Sequence, residues 1–184
     1  MQNGSTGDYA EVVQTYQQPI YRYCLRLVGN RQDAEDAAQD IFIKAFEAIG
    51  QYKSTVRFSS WLYKIAHRHC LNLLRKRRYQ LHLLPRLFTP EAASESPEQT
   101  MDKRMFSPKA RAAMAALSPE ERSLLILRIF EEQTYEELGA IIGCKPEAAK
   151  KRVNRIKAKV RHSMEEWREE PIWSENKQPL NMRT

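Results

Sequence analysis

The sequence predicts an all-α protein: two small helical domains joined by a flexible linker, the second a helix-turn-helix domain. Three observations carry that expectation. Only six glycines occur among 184 residues, while the strong helix formers Ala, Leu, Glu, Lys and Arg are abundant. Apolar residues recur at three- and four-residue steps through much of the chain. From about Tyr79 to Ser107 that rhythm decays around Pro85, Pro90 and Pro97, and so long an aperiodic stretch does not fit inside one compact domain. The expected divisions are 1–78, a linker over 79–107, 108–168, and a tail over 169–184.

The first helical block spans about Asp8 to Val28, with Val13, Tyr16, Ile20, Cys24 and Leu27 on its apolar stripe. Pro19 sits inside it, so a break or kink is expected there, with Pro19 near the start of a second piece. Gly29-Asn30 reads as a stop. The block from Asp33 to Ile49, "DAEDAAQDIFIKAFEAI", places Ala34, Ala37, Ala38, Ile41, Phe42, Ala45, Phe46 and Ile49 on one stripe. Asp36, Gln39, Asp40, Ile43 and Glu47 face the other way, and acids in the first turns suit the positive end of the helix dipole.

A loop from Gly50 to Phe58 follows, then a helix that Ser59 or Ser60 can cap. Leu62, Ile65, Ala66, His69 and Leu73 form its expected inward stripe. Trp61, Lys64, Arg68, Asn72 and Arg75 share another side, and Arg75, Lys76, Arg77 and Arg78 close it. The apolar piece "LHLLPRLF" inside the linker is expected to be helical only transiently. In the second domain, Ser118, Pro119 and Glu121 make a capping-box start, and Thr134 with Glu137 repeats the device. Gly143 ends that short helix, and Pro146 begins a longer one reaching about Trp167. The tail beyond Pro171 shows no clear period.

Charge narrows the class of partner. The chain carries 30 Lys plus Arg against 23 Asp plus Glu, a formal net charge of +7. That excess favours an anionic partner, nucleic acid first and an acidic membrane surface second. Cys24, Cys70 and Cys144 lie far apart without a Cys-x-x-Cys pair, which fits a reducing cytosol better than a disulfide framework. The opening "MQNGSTGDYAEVV" lacks a basic segment followed by an apolar stretch, and no run approaches the ~18 apolar residues of a membrane span. A soluble, cytoplasmic protein is expected.

Two stretches carry chemistry. Thr134 to Val160 follows helix-turn-helix grammar. Ala149, Val153, Ile156 and Val160 give the longer helix an inward seam, and Glu147, Lys150, Lys151, Asn154 and Arg155 occupy its other face. Lys, Arg and Asn at the amino end of such a helix suit base edges in a major groove, with later cations on phosphates. Glu147 can accept a hydrogen bond from a cytosine amino group. The plain alternative is a solvated basic helix. "RFSSWLYKIAHRHCLNLLRKRR" suits a different ligand: aromatic residues at its start stack on unpaired bases, and spaced cations follow a backbone. The alternative there is that Phe58, Trp61 and Tyr63 are core residues. His67, His69 and Cys70 do not make a metal site, because i and i+2 point to different helix faces. No nucleophile–base set, phosphate loop or carboxylate pair is present, so neither an enzyme, a cofactor nor a small-molecule substrate is expected.

The acidic amphipathic helix, the aromatic loop, "FSSWLYKIAHRHCLNLLRKRR", the Pro-containing linker and "LSPEERSLLILRIFEEQTYEELGAIIGCKPEAAKKRVNRIKAKV" together resemble the bacterial sigma factors of the extracytoplasmic-function group. The resemblance runs from about Tyr9 to Trp167. It implies a subunit that binds core RNA polymerase, directs it to promoter DNA and is a client of an anti-sigma factor. It implies that Asp36, Gln39, Asp40 and Ile43 dock on polymerase. It also implies that Tyr52, Lys53, Arg57, Phe58, Trp61, Lys64, Arg68, Arg75, Arg77 and Arg78 hold the melted strand of the −10 element. Glu147, Lys150, Lys151, Asn154 and Arg155 would then read the −35 element as duplex. Members of the group usually carry Asn where Arg68 stands and an acid where Asn72 stands. The rival functions are a stand-alone helix-turn-helix regulator and an interaction module without DNA readout.

Overall fold

The computed structural model describes residues 6–83 and 108–169. Its elements are α1 (Thr6–Val28), α2 (Arg31–Ala48), a 3₁₀ turn (Ile49–Gln51), α3 (Phe58–Leu83), α4 (Pro108–Ala115), α5 (Pro119–Ile129), α6 (Tyr135–Ile142) and α7 (Pro146–Glu169). Among the described residues there is no strand, as the composition implied. The linker expected over 79–107 is helical as far as Leu83. From position 84 to 107 it lies outside the described residues, as do most of the piece "LHLLPRLF" and the tail beyond position 169.

α1 runs through Pro19 without the expected break. Proline removes the bond to the carbonyl of Thr15, but Thr15 is exposed, where water can take that carbonyl. Ile20, Tyr23, Cys24 and Leu27 beyond it are all buried, and that packing holds the second half in line with the first. α2 begins two residues earlier than its acidic run, because Asn30 is its N-cap and accepts a hydrogen bond from the Asp33 amide. Ala34, Ala37, Ala38, Ile41 and Ala45 are buried as expected. Phe46 is not: it is exposed, and its ring stands edge-on to Tyr9 with centroids 5.0 Å apart.

α3 starts at Phe58, so neither Ser59 nor Ser60 caps it. Ser60 is buried instead, with an Oγ that finds no partner among the described residues. Leu62 and Ala66 face inward, but so do Tyr63, His67 and Cys70, while Ile65, His69 and Leu73 are half-buried. The reason is that α3 packs on two fronts, against α1 and α2 on one side and against α5 and α6 on the other.

In the second half both capping boxes form. Ser118 and Glu121 bond each other's backbone at the start of α5, and Thr134 and Glu137 do so at the start of α6. Gly143 closes α6 at φ 77°, in the left-handed region, and the amides of Gly143 and Cys144 both reach the Gly139 carbonyl at 2.9 Å. A Cβ on Gly139 would stand 2.6 Å from the Cys144 carbonyl oxygen, so the turn needs glycine there as well. Pro146 then opens α7, whose Ala149, Val153 and Ile156 are buried. The two halves share one apolar cluster, from Ile20 and Leu62 through Leu125 and Leu127 to Ile141 and Ile156.

Candidate nucleic-acid interface

Three surfaces gather the residues singled out above. On α2, Asp36, Gln39, Asp40 and Ile43 are all exposed. Ile43 and Phe46 are 57% and 53% exposed, two large apolar groups on an otherwise polar helix face. An apolar patch rimmed by acids is the form of a protein-docking surface. Asp40 leans toward the neighbouring helix, with its carboxylate 3.7 Å from His69 Nε2 and 3.9 Å from Lys44 Nζ.

The second surface surrounds the start of α3. Tyr52, Phe58 and Trp61 pack as a ring cluster with centroids 5.3 to 5.5 Å apart, and Tyr16 of α1 joins at 5.6 Å from Phe58. The Tyr52 hydroxyl donates to the Val56 carbonyl at 2.7 Å, which closes the loop on itself. Tyr16 was not singled out for this cluster; its place on the α1 apolar stripe was the available signal. Each ring is half-buried, so the cluster fixes the loop and still leaves edges open for stacking.

The cations differ in freedom. Lys53, Arg57, Arg68, Arg75 and Arg78 are exposed, and Lys64 is half-buried. Arg75 donates to Asn72 Oδ1 at 3.0 Å. Arg77 turns back to an ion pair with Asp33 of α2. Arg57 donates to Glu137 Oε1 at 3.1 Å, while the other oxygen of that carboxylate caps α6 through the Thr134 amide at 2.7 Å. A cleft of about 400 Å³ between the loop and α6 is lined by Val56, Arg57, Ser60, Thr134, Glu136 and Glu137.

The third surface is α7, where Glu147, Lys150, Lys151, Asn154 and Arg155 are all exposed on the face opposite its buried seam. Lys159, further along, is drawn into an ion pair with Glu121 of α5. With Ser118 also bonding it, Lys159 holds the Glu121 carboxyl below its ordinary range.

Between these surfaces lies a polar seam that the sequence did not reveal. Ser123 of α5 is fully buried, with its Oγ 2.8 Å from the Tyr23 hydroxyl and 2.7 Å from His67 Nδ1. After α5 the chain turns through Glu132 at φ 52°, an uncommon left-handed conformation for a side-chain-bearing residue. Glu131 beside it accepts from Arg26 at 2.9 Å and from the Tyr63 hydroxyl at 2.6 Å. The Arg26 guanidinium also lies 4.6 Å over the Phe130 ring. Burial, helped by Glu131, pushes the Tyr63 phenol well above its usual range.

Burial also lowers the pKa of His67; Glu120 opposes this and Arg68 adds to it. A base held below its free value binds fewer protons in the packed state. The seam therefore has full strength above about pH 6.5 and weakens as pH falls below it. Urea unfolding at pH 7.5 and 5.5 is expected to show lower stability at 5.5, and His67→Asn is expected to reduce that difference. An equal loss in the variant would assign the pH dependence to other groups.

Comparison with known proteins accounts for both halves in order. The family model for Sigma-70 region 2 matches residues 12–79, and that for Sigma-70 region 4 matches residues 109–160. The ECF RNA polymerase sigma factor SigE of Mycolicibacterium smegmatis is 32% identical over 165 residues, and the match covers 85% of this chain but 64% of that protein. The RNA polymerase sigma factor YlaC of Bacillus subtilis is 28% identical, with 87% of this chain and 94% of that one covered. Among solved structures, the fold is similar to the sigma factor RpoE in its complex with the anti-sigma factor NepR from Bartonella quintana. That match has a TM-score of 0.66 at 21% identity and covers 86% of this chain and 97% of that one. It is also similar to CnrH in its complex with the cytosolic domain of CnrY, with a TM-score of 0.67 at 17% identity over 90% of this chain and 92% of that one.

Proposed function

The chain belongs to the extracytoplasmic-function RNA polymerase sigma factors, and on that premise we propose that it loads core polymerase onto promoters by two separate DNA contacts. A sigma factor is not an enzyme; the polymerase it directs is the catalyst. In this reading residues 1–78 form the polymerase-binding and −10 domain, 79–107 a linker, 108–168 the −35 domain and 169–184 a tail. The protein works in the cytoplasm, and among the described residues no helix is long and apolar enough to cross a membrane.

The observation that carries the reading is the pairing of two unlike surfaces on one chain. An acidic, partly apolar face of α2 stands open, and an equally open basic face of α7 presents Lys150, Lys151, Asn154 and Arg155. The first suits a protein and the second suits duplex phosphates and base edges. The ring cluster of Tyr52, Phe58 and Trp61, with Lys53 in the same loop and Lys64 and Arg68 further along α3, suits a melted −10 strand. Unstacking a base costs a few kcal/mol, which polymerase binding and duplex contacts must offset. The isolated chain should therefore bind promoters weakly. An anti-sigma factor is the expected regulator, and it would cover some of these same surfaces.

Mixing the chain with core polymerase and a fluorescent promoter is expected to open the strands around the start site. Asp36→Ala with Asp40→Ala should weaken polymerase binding on the order of tenfold, about 1.4 kcal/mol, with duplex binding by the isolated chain unchanged. Full-strength polymerase binding by that variant would exclude the α2 face. A chain that binds duplex tightly by itself and does not bind polymerase would be a regulator, and one that binds polymerase without opening DNA would be an interaction module.

A further inference from the structure

Beneath the seam, in the core of the first half, two thiols meet. Cys24 of α1 and Cys70 of α3 are 46 positions apart, both fully buried, with their sulfurs 3.7 Å apart. The third thiol, Cys144, lies in the helix-turn-helix turn and is partly exposed. All three are free. A contact this short between two sulfurs on separate helices needs only a small approach of the side chains to reach disulfide geometry.

We propose that Cys24 and Cys70 form an oxidation site: a dithiol that peroxide converts to an internal disulfide linking α1 to α3, gated by separation of the two halves. One thiol, as thiolate, attacks the peroxide O–O bond and becomes a sulfenic acid; the hydroxide released takes up a proton and leaves as water. The second thiolate attacks the sulfenic sulfur, the S–S bond forms, and a second hydroxide leaves as water. Two thiols and one hydrogen peroxide thus give one disulfide and two waters, with the peroxide as the two-electron oxidant.

The gating follows from what surrounds the pair. The hydrogen bond to Cys70, together with burial, pushes the Cys24 thiol well above the ordinary thiol range, so the closed arrangement keeps it protonated and unreactive. Tyr23, next to Cys24 in sequence, is fully buried and tied to Ser123 of α5. When α5 leaves, Tyr23 loses that partner, and in the proposed gating water then reaches the neighbouring sulfurs. The inference concerns the core of the first half and does not depend on what the chain does with DNA.

The test uses the full-length chain carrying Cys144→Ser, treated with hydrogen peroxide, alkylated and digested without reductant. A peptide pair joined through Cys24 and Cys70, two hydrogens lighter than the free peptides and released by dithiothreitol, is expected. Adding Glu131→Gln, which loosens the seam, is expected to speed its formation at least threefold. The wild-type chain should give the same cross-link, with Cys144 modified separately. Recovery of Cys24 and Cys70 as free thiols, or as sulfinic and sulfonic acids without the cross-link, would overturn the site. A cross-linking rate unchanged by Glu131→Gln would overturn the gating.

Discussion

Glu131→Gln is expected to part the two halves of the molecule. The Glu131 side chain is only 6% exposed and that of Arg26 17%, so both charges sit largely out of water. One carboxylate oxygen holds Arg26 and the other the Tyr63 hydroxyl. Removing the negative charge leaves the guanidinium without its counter-ion, and breaking one partner of such a pair costs about 3 kcal/mol. That free energy falls on the contact between halves rather than on either core, since α1 and α3 supply the donors and the turn after α5 supplies the acceptor. The ratio of open to closed chain should rise on the order of a hundredfold. Small-angle scattering should show a larger radius of gyration, and amides in α5 and α6 should exchange faster. An unchanged radius together with unchanged exchange would mean that the apolar contacts alone hold the halves together.

The second large effect is expected on DNA. Lys150→Ala with Lys151→Ala removes two exposed cations from α7 and leaves its buried seam of Ala149, Val153 and Ile156 intact. Each phosphate contact contributes about −0.9 to the slope of log affinity against log salt, so the slope should flatten by about two. Extrapolated from 1 M to 0.1 M salt, two lost contacts weaken duplex binding by about sixtyfold. Circular dichroism should be unchanged, which separates this loss from unfolding. A salt slope equal to that of the unaltered chain would remove α7 from the DNA interface. Arg155→Ala provides the contrast: as a candidate base-edge contact, its loss should relax sequence preference more than it changes the slope.

What could be read from the sequence was local in its physics. The capping boxes at Ser118 and Thr134 and the left-handed Gly143 depend on a few neighbouring residues, and each forms where the residue types place it. The alanine-rich stripe of α2 was legible because one face of that helix is buried and the other is not. The exposed candidates on α2 and α7 followed from the same reasoning, since a one-sided helix declares its free side as clearly as its buried one.

The misses were tertiary. α3 buries residues on two sides, so a single inward stripe accounted for Leu62 and Ala66 but not for Tyr63, His67 or Cys70. No periodicity announces that Ser123 of α5 will meet a tyrosine a hundred positions away. The break expected at Pro19 gave way to packing on either side of it, which outweighs one missing backbone bond at an exposed turn. Phe46 continues the apolar stripe of α2, yet lies beyond the reach of the core and stays on the surface.

Glu137 is shared by two tasks: one oxygen caps α6 and the other holds Arg57. If Arg57 is a strand contact, as proposed, the guanidinium nitrogen that now donates to Glu137 would have to turn away to meet a phosphate, so the two bonds compete for that donor. On the proposed reading, the free chain and the melted strand would share this cation. The Arg57 side chain is 78% exposed, so the tie is a weak, solvent-screened one. Its exchange for a phosphate would, on that reading, ease the contact with α6 without breaking the packing of α3 against it.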